Sequence, residues 1–166
     1  MKSLTLPVAL IATLLSAAIF GFFYSWVCST MWGLDEADPR TAIAAMQAMN
    51  ASVRNFAFAP AFFGTPLALG LAALVIWRSA ERGALAFALA ALVYGVLGMG
   101  LTMVVNVPMN EALALVAIPE DIDAAREIWL DYSPRWQVWN LTRTITSGAA
   151  LLLALIGLVQ YARGSR

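Results

Sequence analysis

Polar segments border the long apolar runs of this 166-residue chain and carry the residue types that can do chemistry. The third run ends in NVPMNEAL, which holds two asparagines and Glu111, and the fourth opens with WQVWNLTR, which holds Arg143. Amide and guanidinium groups donate hydrogen bonds to an oxygen that carries negative charge, and a carboxylate can act as a general base. The combination indicates a site for an oxyanion or another polar oxygen.

The residues that open the fourth run have helical spacing. On an α-helix, four of them fall within roughly 60° of one another and form one polar stripe: Trp136, Asn140, Arg143 and Ser147. Two interpretations of Arg143 stay open. It is an interface anchor that pairs with Glu111 or Asp131, or it turns into the bundle. In the second case it should reach Asn106, Asn110 or Glu111.

The predicted ligand-binding residues come from three segments that reach the same outer level of the bundle: Asn50, Arg54, Asn106, Asn110, Trp136, Asn140 and Arg143. Arg143 and Glu111 are the candidate catalytic groups. Structural roles compete with these, since tryptophans at a helix start form interface belts. Asn106 and Asn110 bracket Pro108, whose missing N–H frees a carbonyl that an amide can satisfy.

The chain has no histidine and a single cysteine. This composition excludes histidine-dependent nucleophiles, imidazole-ligated haem, and zinc or copper sites built on imidazole. We therefore predict no metal site and no cofactor. Cys28 and the seven methionines are interpreted as packing residues.

Four apolar runs must position these polar groups. The chain is 61% hydrophobic and 12% charged, with a mean hydropathy of +0.78. The runs cover residues 4–27, 56–77, 84–105 and 141–161, and each reaches the ~20 residues that cross a bilayer as helix. The first run is too long for a secretory signal, so we interpret it as an uncleaved span. The prediction is an all-α, transmembrane, antiparallel four-helix bundle that forms one domain, residues 1–166.

The connections between the spans have helical features of their own. The segment TAIAAMQAMNASVRNF predicts an amphipathic helix before the second span, which either lies on the membrane surface or extends that span. The loop PEDIDAAREIWLDYSPRW predicts a short helix over residues 122–130 between spans 3 and 4. Small residues recur every four positions in the first span, and we expect this face against another helix: Ala17, Gly21, Ser25 and Ser29.

Charge distribution predicts the orientation. One side of the membrane carries mainly cations, Lys2, Arg78, Arg82, Arg163 and Arg166, whereas the long connections on the other side are rich in acids. The positive-inside rule places both termini in the cytoplasm and the protein in the inner (plasma) membrane. The expected partners are the lipid bilayer, a lipophilic aromatic or quinone-like small molecule and a second copy of the chain, with no nucleic acid.

The order of these motifs resembles the anthrone oxygenase-like family of small four-helix membrane proteins. NVPMNEAL followed by WQVWNLTRTITS, after an MQAMN helix, carries the resemblance through Asn106, Pro108, Asn110, Trp136 or Trp139, and Arg143. The resemblance implies, for a few relatives, oxidation of an anthrone to an anthraquinone by dioxygen without a dedicated cofactor. Most members have no known function. Because this chain lacks histidine, proton abstraction by an imidazole does not carry over to it.

Two functions are compatible with these features. The first is binding of a lipophilic aromatic or lipid-like ligand at the Asn/Arg/Trp cluster without catalysis. The alternative is a cofactor-independent oxygenase that converts anthrone-type polycyclic phenols to quinones, so whether the protein is an enzyme stays open. A transporter is disfavoured, because four spans without evident inverted repeats make a poor alternating-access machine.

Overall fold

The computed structural model describes residues 2–164, with side chains from Leu4 onward, and these residues form helices and short connections. Two of the cations used to predict the orientation lie outside the described residues and side chains: the side chain of Lys2, and Arg166. Five helices follow one another. They are α1 (Lys2–Ser25, continued by Trp26–Thr30 and Met31–Asp35), α2 (Pro39–Ser52), α3 (Phe58–Arg78), α4 (Ala84–Val93, continued by Tyr94–Gly100, Thr102–Asn106 and Val107–Ala114) and α5 (Ile122–Gly164).

Four of the helices, α1, α3, α4 and α5, are long and apolar enough to cross a membrane. They pack in a ring in which α1 contacts α3 and α5, and α4 contacts the same two helices from the other side. Leu69 and Phe87 are among the buried residues of the core, whereas many other leucines stay exposed, as lipid-facing side chains do. The predicted all-α fold with four membrane-spanning helices is confirmed.

Helix α2 closes one end of the bundle, which we call the capped end. Asp38 begins the helix, because its side chain accepts a hydrogen bond from the backbone N–H of Arg40 (2.9 Å). The hydrogen-bonded Arg40 side chain lowers the pKa of Asp38 to about 2. Gln47 Nε2 donates to the carbonyls of Leu113 (2.8 Å), in the last turn of α4, and of Val116 (3.0 Å), just beyond it. Helix α2 is thereby held against the C-terminal end of α4.

The predicted amphipathic helix is therefore present, but it does not extend the second span. Residues 53–57 separate α2 from α3 and contain only turns. The apolar face of α2, formed by Ala42, Ile43 and Met46, packs instead into a second hydrophobic cluster with Trp129 and Tyr132 of α5. This contact exists because α5 continues far beyond the bundle core.

Helix α5 is longer than the sequence indicates. Its 43 residues extend for roughly 64 Å, about twice the ~30 Å of a bilayer core. The helix predicted over residues 122–130 begins at Ile122 but continues without interruption into the fourth span, through Pro134. The connection between spans 3 and 4 is consequently short, residues 115–121, and the Trp136–Ser147 stripe lies in mid-helix.

The face of α1 that packs inward differs from the predicted one. Gly21, Ser25 and Ser29 are exposed, and a Cβ atom added at Gly21 would meet nothing within 4 Å. The buried face carries larger groups, among them Ile19, Phe23 and Trp26. The prediction that the small residues contact another helix is wrong, because aromatic and branched side chains fill the space between α1 and its neighbours.

Wide π-helical turns interrupt α1 and α4 near the capped end. They cover Trp26–Thr30, Tyr94–Gly100 and Thr102–Asn106. The last segment directly precedes Val107–Ala114, where Pro108 lacks the N–H of a regular helical hydrogen bond. Such turns occur mostly within longer helices and are frequent at functional sites. In this protein, residues from all but Tyr94–Gly100 line the cleft described below.

A close backbone contact holds the opposite end together. Gly83 begins α4 with φ of +105°, and a Cβ atom there would lie 2.3 Å from the carbonyl oxygen of Gly157 in α5. Only glycine has neither a strained conformation nor a clash at this position. The turn between α3 and α4 can therefore lie directly on α5.

Candidate functional site

A cleft of about 1030 Å³ opens near the capped end, between α1, the start of α3 and the second half of α4. Eight aromatic side chains line it: Phe22, Phe23, Trp26, Phe56, Phe58, Phe62, Phe63 and Trp136. Phe63 and Met103 line the cleft and are each about half exposed. The mouth of the cleft is therefore open between α3 and α4, and also at the connection before α3, where Phe56 lines it and is 98% exposed. The volume lies at the upper end of the ~300–1,000 Å³ typical of ligand pockets.

Arg143 lies at the inner wall of this cleft. Only 5% of the residue is exposed, so it is not an anchor that reaches the membrane interface. Its Cζ atom lies 4.4 Å from the ring centre of Phe23 and 5.0 Å from that of Trp136. Its Nε donates to Oδ1 of Asn140 at 2.9 Å. Aromatic faces and one amide thus hold the guanidinium in place.

The predicted partners of Arg143 are wrong, although its inward direction is confirmed. Among residues 4–164, no hydrogen bond or ion pair joins it to Asn106, Asn110 or Glu111. Glu111 pairs instead with Arg54 at 3.1 Å, with both side chains more than half exposed. The anchor interpretation is wrong too, since Asp131 pairs with Arg135 at 3.7 Å.

Asn140 positions Arg143 and does not line the cleft. Its Oδ1 accepts from the arginine, and its Nδ2 donates to the backbone carbonyl of Phe23 in α1 at 3.3 Å. Both ends of the amide are therefore occupied inside the protein. The same amide that orients the guanidinium also fixes α5 against α1.

Asn110 connects three helices. Its Oδ1 accepts from the hydroxyl of Tyr132 and from Nε1 of Trp136, both at 2.8 Å. Its Nδ2 donates to Oδ1 of Asn50 at 3.0 Å. Helices α2, α4 and α5 thereby bring together the predicted residues Asn50, Asn110 and Trp136. All three residues line the cleft.

Asn106 has a different place. It is fully buried, it does not line the cleft, and neither its Nδ2 nor its Oδ1 has a hydrogen-bond partner in the described part of the chain. The amide therefore does not satisfy the carbonyl freed by Pro108, which was the structural role considered for it. Nδ2 of Asn50 is also buried without a partner. Such groups are rare in folded proteins and each costs stability unless something else pairs with it.

Sequence reasoning missed a second polar group beside the cleft. The carboxylate of Asp35, at the end of α1, accepts hydrogen bonds from Trp129 Nε1 (2.9 Å), Ser133 Oγ (2.6 Å) and Gln137 Nε2 (2.8 Å). Part of the signal was available, because continuing the stripe from Trp136 back by three and then by four residues gives Ser133 and Trp129. It was missed because the fourth helix was expected to begin near residue 141.

The charges at the cleft are unevenly placed. Glu111 is the one carboxylate among its described lining residues, and Arg54 neutralises it at the exposed rim. Arg143 is the buried cation, and its two Nη nitrogens have no hydrogen-bond partner in the described side chains. The interior of the cleft is consequently aromatic and positively charged.

The chain matches one known protein family. A family model described as anthrone oxygenase matches residues 46–153, about two thirds of the sequence. The matched segment contains the second half of α2, all of α3 and α4, and most of α5, and with them every predicted site residue. No curated protein and no solved structure gave a significant match. This protein, with four helices that can cross a membrane, belongs to the anthrone oxygenase family.

Proposed function

We propose that the protein binds a lipophilic aromatic or lipid-like molecule in the cleft between α1, α3 and α4. The observation that carries the proposal is the aromatic cleft of about 1030 Å³ whose inner wall holds a buried arginine. A planar apolar molecule would replace water against the phenylalanine rings, and its polar end would meet Arg143. The predicted residues Asn50, Arg54 and Asn110 would border it.

The position of the mouth supports entry from the lipid. Phe63 and Met103, at the mouth, belong to helices that cross the membrane. A lipophilic molecule dissolved in the bilayer would then reach the cleft sideways, without crossing an aqueous phase. The exposed Arg54–Glu111 pair would stand at the polar edge of the same opening.

Filling the cleft should prevent binding. We expect Ala18→Trp to weaken binding of a fluorescent anthracene derivative by about tenfold or more, because Ala18 lines the cleft and the indole would occupy ligand volume. Binding is measured in lipid nanodiscs by probe fluorescence, with subtraction of the signal from empty nanodiscs.

Ala88→Trp is the matched control, since Ala88 is exposed on α4 and does not line the cleft. It should bind the probe as the unchanged protein does. Equal binding by both variants would show that the probe sits elsewhere, and the proposal for this cleft would be withdrawn.

Oxygenation is the second candidate, favoured by the family and by the cation inside an aromatic cleft. The reaction balances as anthrone plus dioxygen giving anthraquinone plus water. Arg143 would stabilise the enolate oxygen, and Glu111, which Arg54 holds at the rim, is the nearest candidate base. Purified protein in nanodiscs should then produce anthraquinone and consume oxygen faster than empty nanodiscs, and Arg143→Gln should abolish the difference. A rate equal to that of empty nanodiscs leaves binding without catalysis.

We further propose that both termini face the cytoplasm, in the plasma membrane of the cell, and that the capped end faces outward. After Cys28→Ala, a cysteine placed by Arg82→Cys should resist a membrane-impermeant maleimide in intact cells. One placed by Asp123→Cys should react readily, because both positions are exposed but lie at opposite ends of the bundle. The reverse pattern would place the capped end and its cleft in the cytoplasm.

A further inference from the structure

We infer that the ligand of the cleft is a lipophilic anion, and that its negatively charged oxygen is the counter-ion of Arg143. The inference rests on the proposed function and adds the chemical class of the molecule. It follows from the charge balance around the arginine, from the hydrogen-bonding groups that remain free, and from the shape of the wall.

Arg143 is a buried cation without a counter-ion among the described side chains. A buried guanidinium costs several kcal/mol of solvation, and proteins offset this cost by pairing the charge. The four ion pairs recorded between described side chains leave Arg143 out. Its positive charge is met by the faces of Phe23 and Trp136 and by one neutral amide. The charge of Arg143 is balanced when a bound molecule supplies an anion.

Most hydrogen-bonding side chains at the inner wall already have partners within the protein. Asn110 Oδ1 already accepts from Tyr132 and Trp136, so those donors and that acceptor are occupied. The Thr102 hydroxyl donates to the Gly98 carbonyl at 2.7 Å. What remains is donor capacity, the Nη groups of Arg143, which lines the cleft. Donors without acceptors select an oxygen that carries charge.

The aromatic surroundings of Arg143 do not suit a small hydrated anion. The guanidinium lies between two aromatic rings, and phenylalanines form the wall from there to the mouth. An inorganic anion would lose its water without gaining apolar contacts there. A molecule with an apolar, preferably planar, body and one anionic oxygen satisfies both parts of the cleft. A phenolate, an enolate or a carboxylate on an aromatic ring system fits, and an anionic lipid headgroup offers the same oxygen chemistry.

The test compares two probes that differ in charge and share one body, anthracene-2-carboxylate and its methyl ester. In phosphatidylcholine nanodiscs, we expect the carboxylate to bind the unchanged protein about tenfold or more tightly than the ester, after correction for partition into empty nanodiscs. Arg143→Gln should weaken the carboxylate by about 30-fold or more and leave the ester nearly unchanged. Arg143→Lys should retain part of the preference, because it keeps the charge but loses the planar fork.

Arg135→Gln is the matched control, an arginine of the same helix whose side chain is 68% exposed. It should bind both probes as the unchanged protein does. The comparison of the two probes on the unchanged protein needs no variant, so poor folding of Arg143→Gln does not prevent a decision. Phosphatidylglycerol added to the nanodiscs distinguishes the sources of the anion: competition with the carboxylate would identify a lipid headgroup, and its absence a small aromatic acid.

Two outcomes would overturn the inference. Equal binding of both probes, insensitive to Arg143→Gln, would leave the proposed function in place but make the ligand neutral. Binding of neither probe would contradict the proposed function and this inference with it.

Discussion

Replacement of Asn110 by alanine should destabilise the folded protein by about 2–4 kcal/mol, because it leaves buried donors without an acceptor. The hydroxyl of Tyr132 and the indole N–H of Trp136 both donate to Asn110 Oδ1, and Asn50 Oδ1 would lose its donor as well. The three helices that meet at this amide would lose their common contact. We expect a clear fall of the melting temperature in mild detergent, measured by intrinsic tryptophan fluorescence.

Asn110→Asp is the matched variant. Its carboxylate keeps an acceptor for both Tyr132 and Trp136, and the amide of Asn50 can rotate so that its unpartnered Nδ2 becomes a donor. This variant should therefore lose much less stability than Asn110→Ala. If the two variants were equally destabilised, side-chain shape and not hydrogen bonding would account for the role of Asn110.

A second large effect is expected at the opposite end of the bundle. Gly83→Ala should destabilise the protein by about 3 kcal/mol or more, because two costs add. Alanine is strained at a φ of +105°, and its Cβ would lie 2.3 Å from the backbone oxygen of Gly157. A backbone atom cannot move aside as the tip of a side chain can, so α4 and α5 would have to separate. Thermal unfolding in detergent and the yield of folded protein both report the change.

Gly70→Ala is the control for glycine replacement. Gly70 lies within α3, and a Cβ atom there would meet nothing within 4 Å. Alanine favours helix over glycine by roughly 0.5–1 kcal/mol, so this variant should be unchanged or slightly more stable. A similar loss in both variants would mean that neither the φ angle nor the contact with Gly157 limits stability.

The fold could be predicted from the sequence because its signals are local. Four apolar runs of membrane length determine four helices whatever their neighbours are. The stripe of Trp136, Asn140, Arg143 and Ser147 is likewise a property of one helix, and all four residues are buried in the structure. A polar face on an apolar helix has a favourable environment only inside a bundle, which is why its direction followed from spacing alone.

The partners of those residues depended on contacts between distant parts of the chain. Asn110 hydrogen-bonds to Tyr132 and Trp136, whereas Arg143 lies seven residues beyond Trp136 in α5 and hydrogen-bonds to Asn140. The position of α1 determines these partners, because Phe23 of α1 lies against the guanidinium and its backbone carbonyl accepts a hydrogen bond from Asn140. It also depended on the length of α5, which places Tyr132 in the same helix as the stripe.

By itself, then, the sequence determined that the helices cross a membrane, which face of α5 turns inward, and which polar residues gather near one end. Only the tertiary structure decided that Asn106 stays outside the cleft, that Glu111 is held at the rim by Arg54, and that Arg143 has no counter-ion among the described side chains. The physical reason is that the two kinds of information act over different distances along the chain. Periodicity fixes the direction of a side chain on its own helix, whereas pairing requires the packing distance and rotation of helices that are remote in sequence.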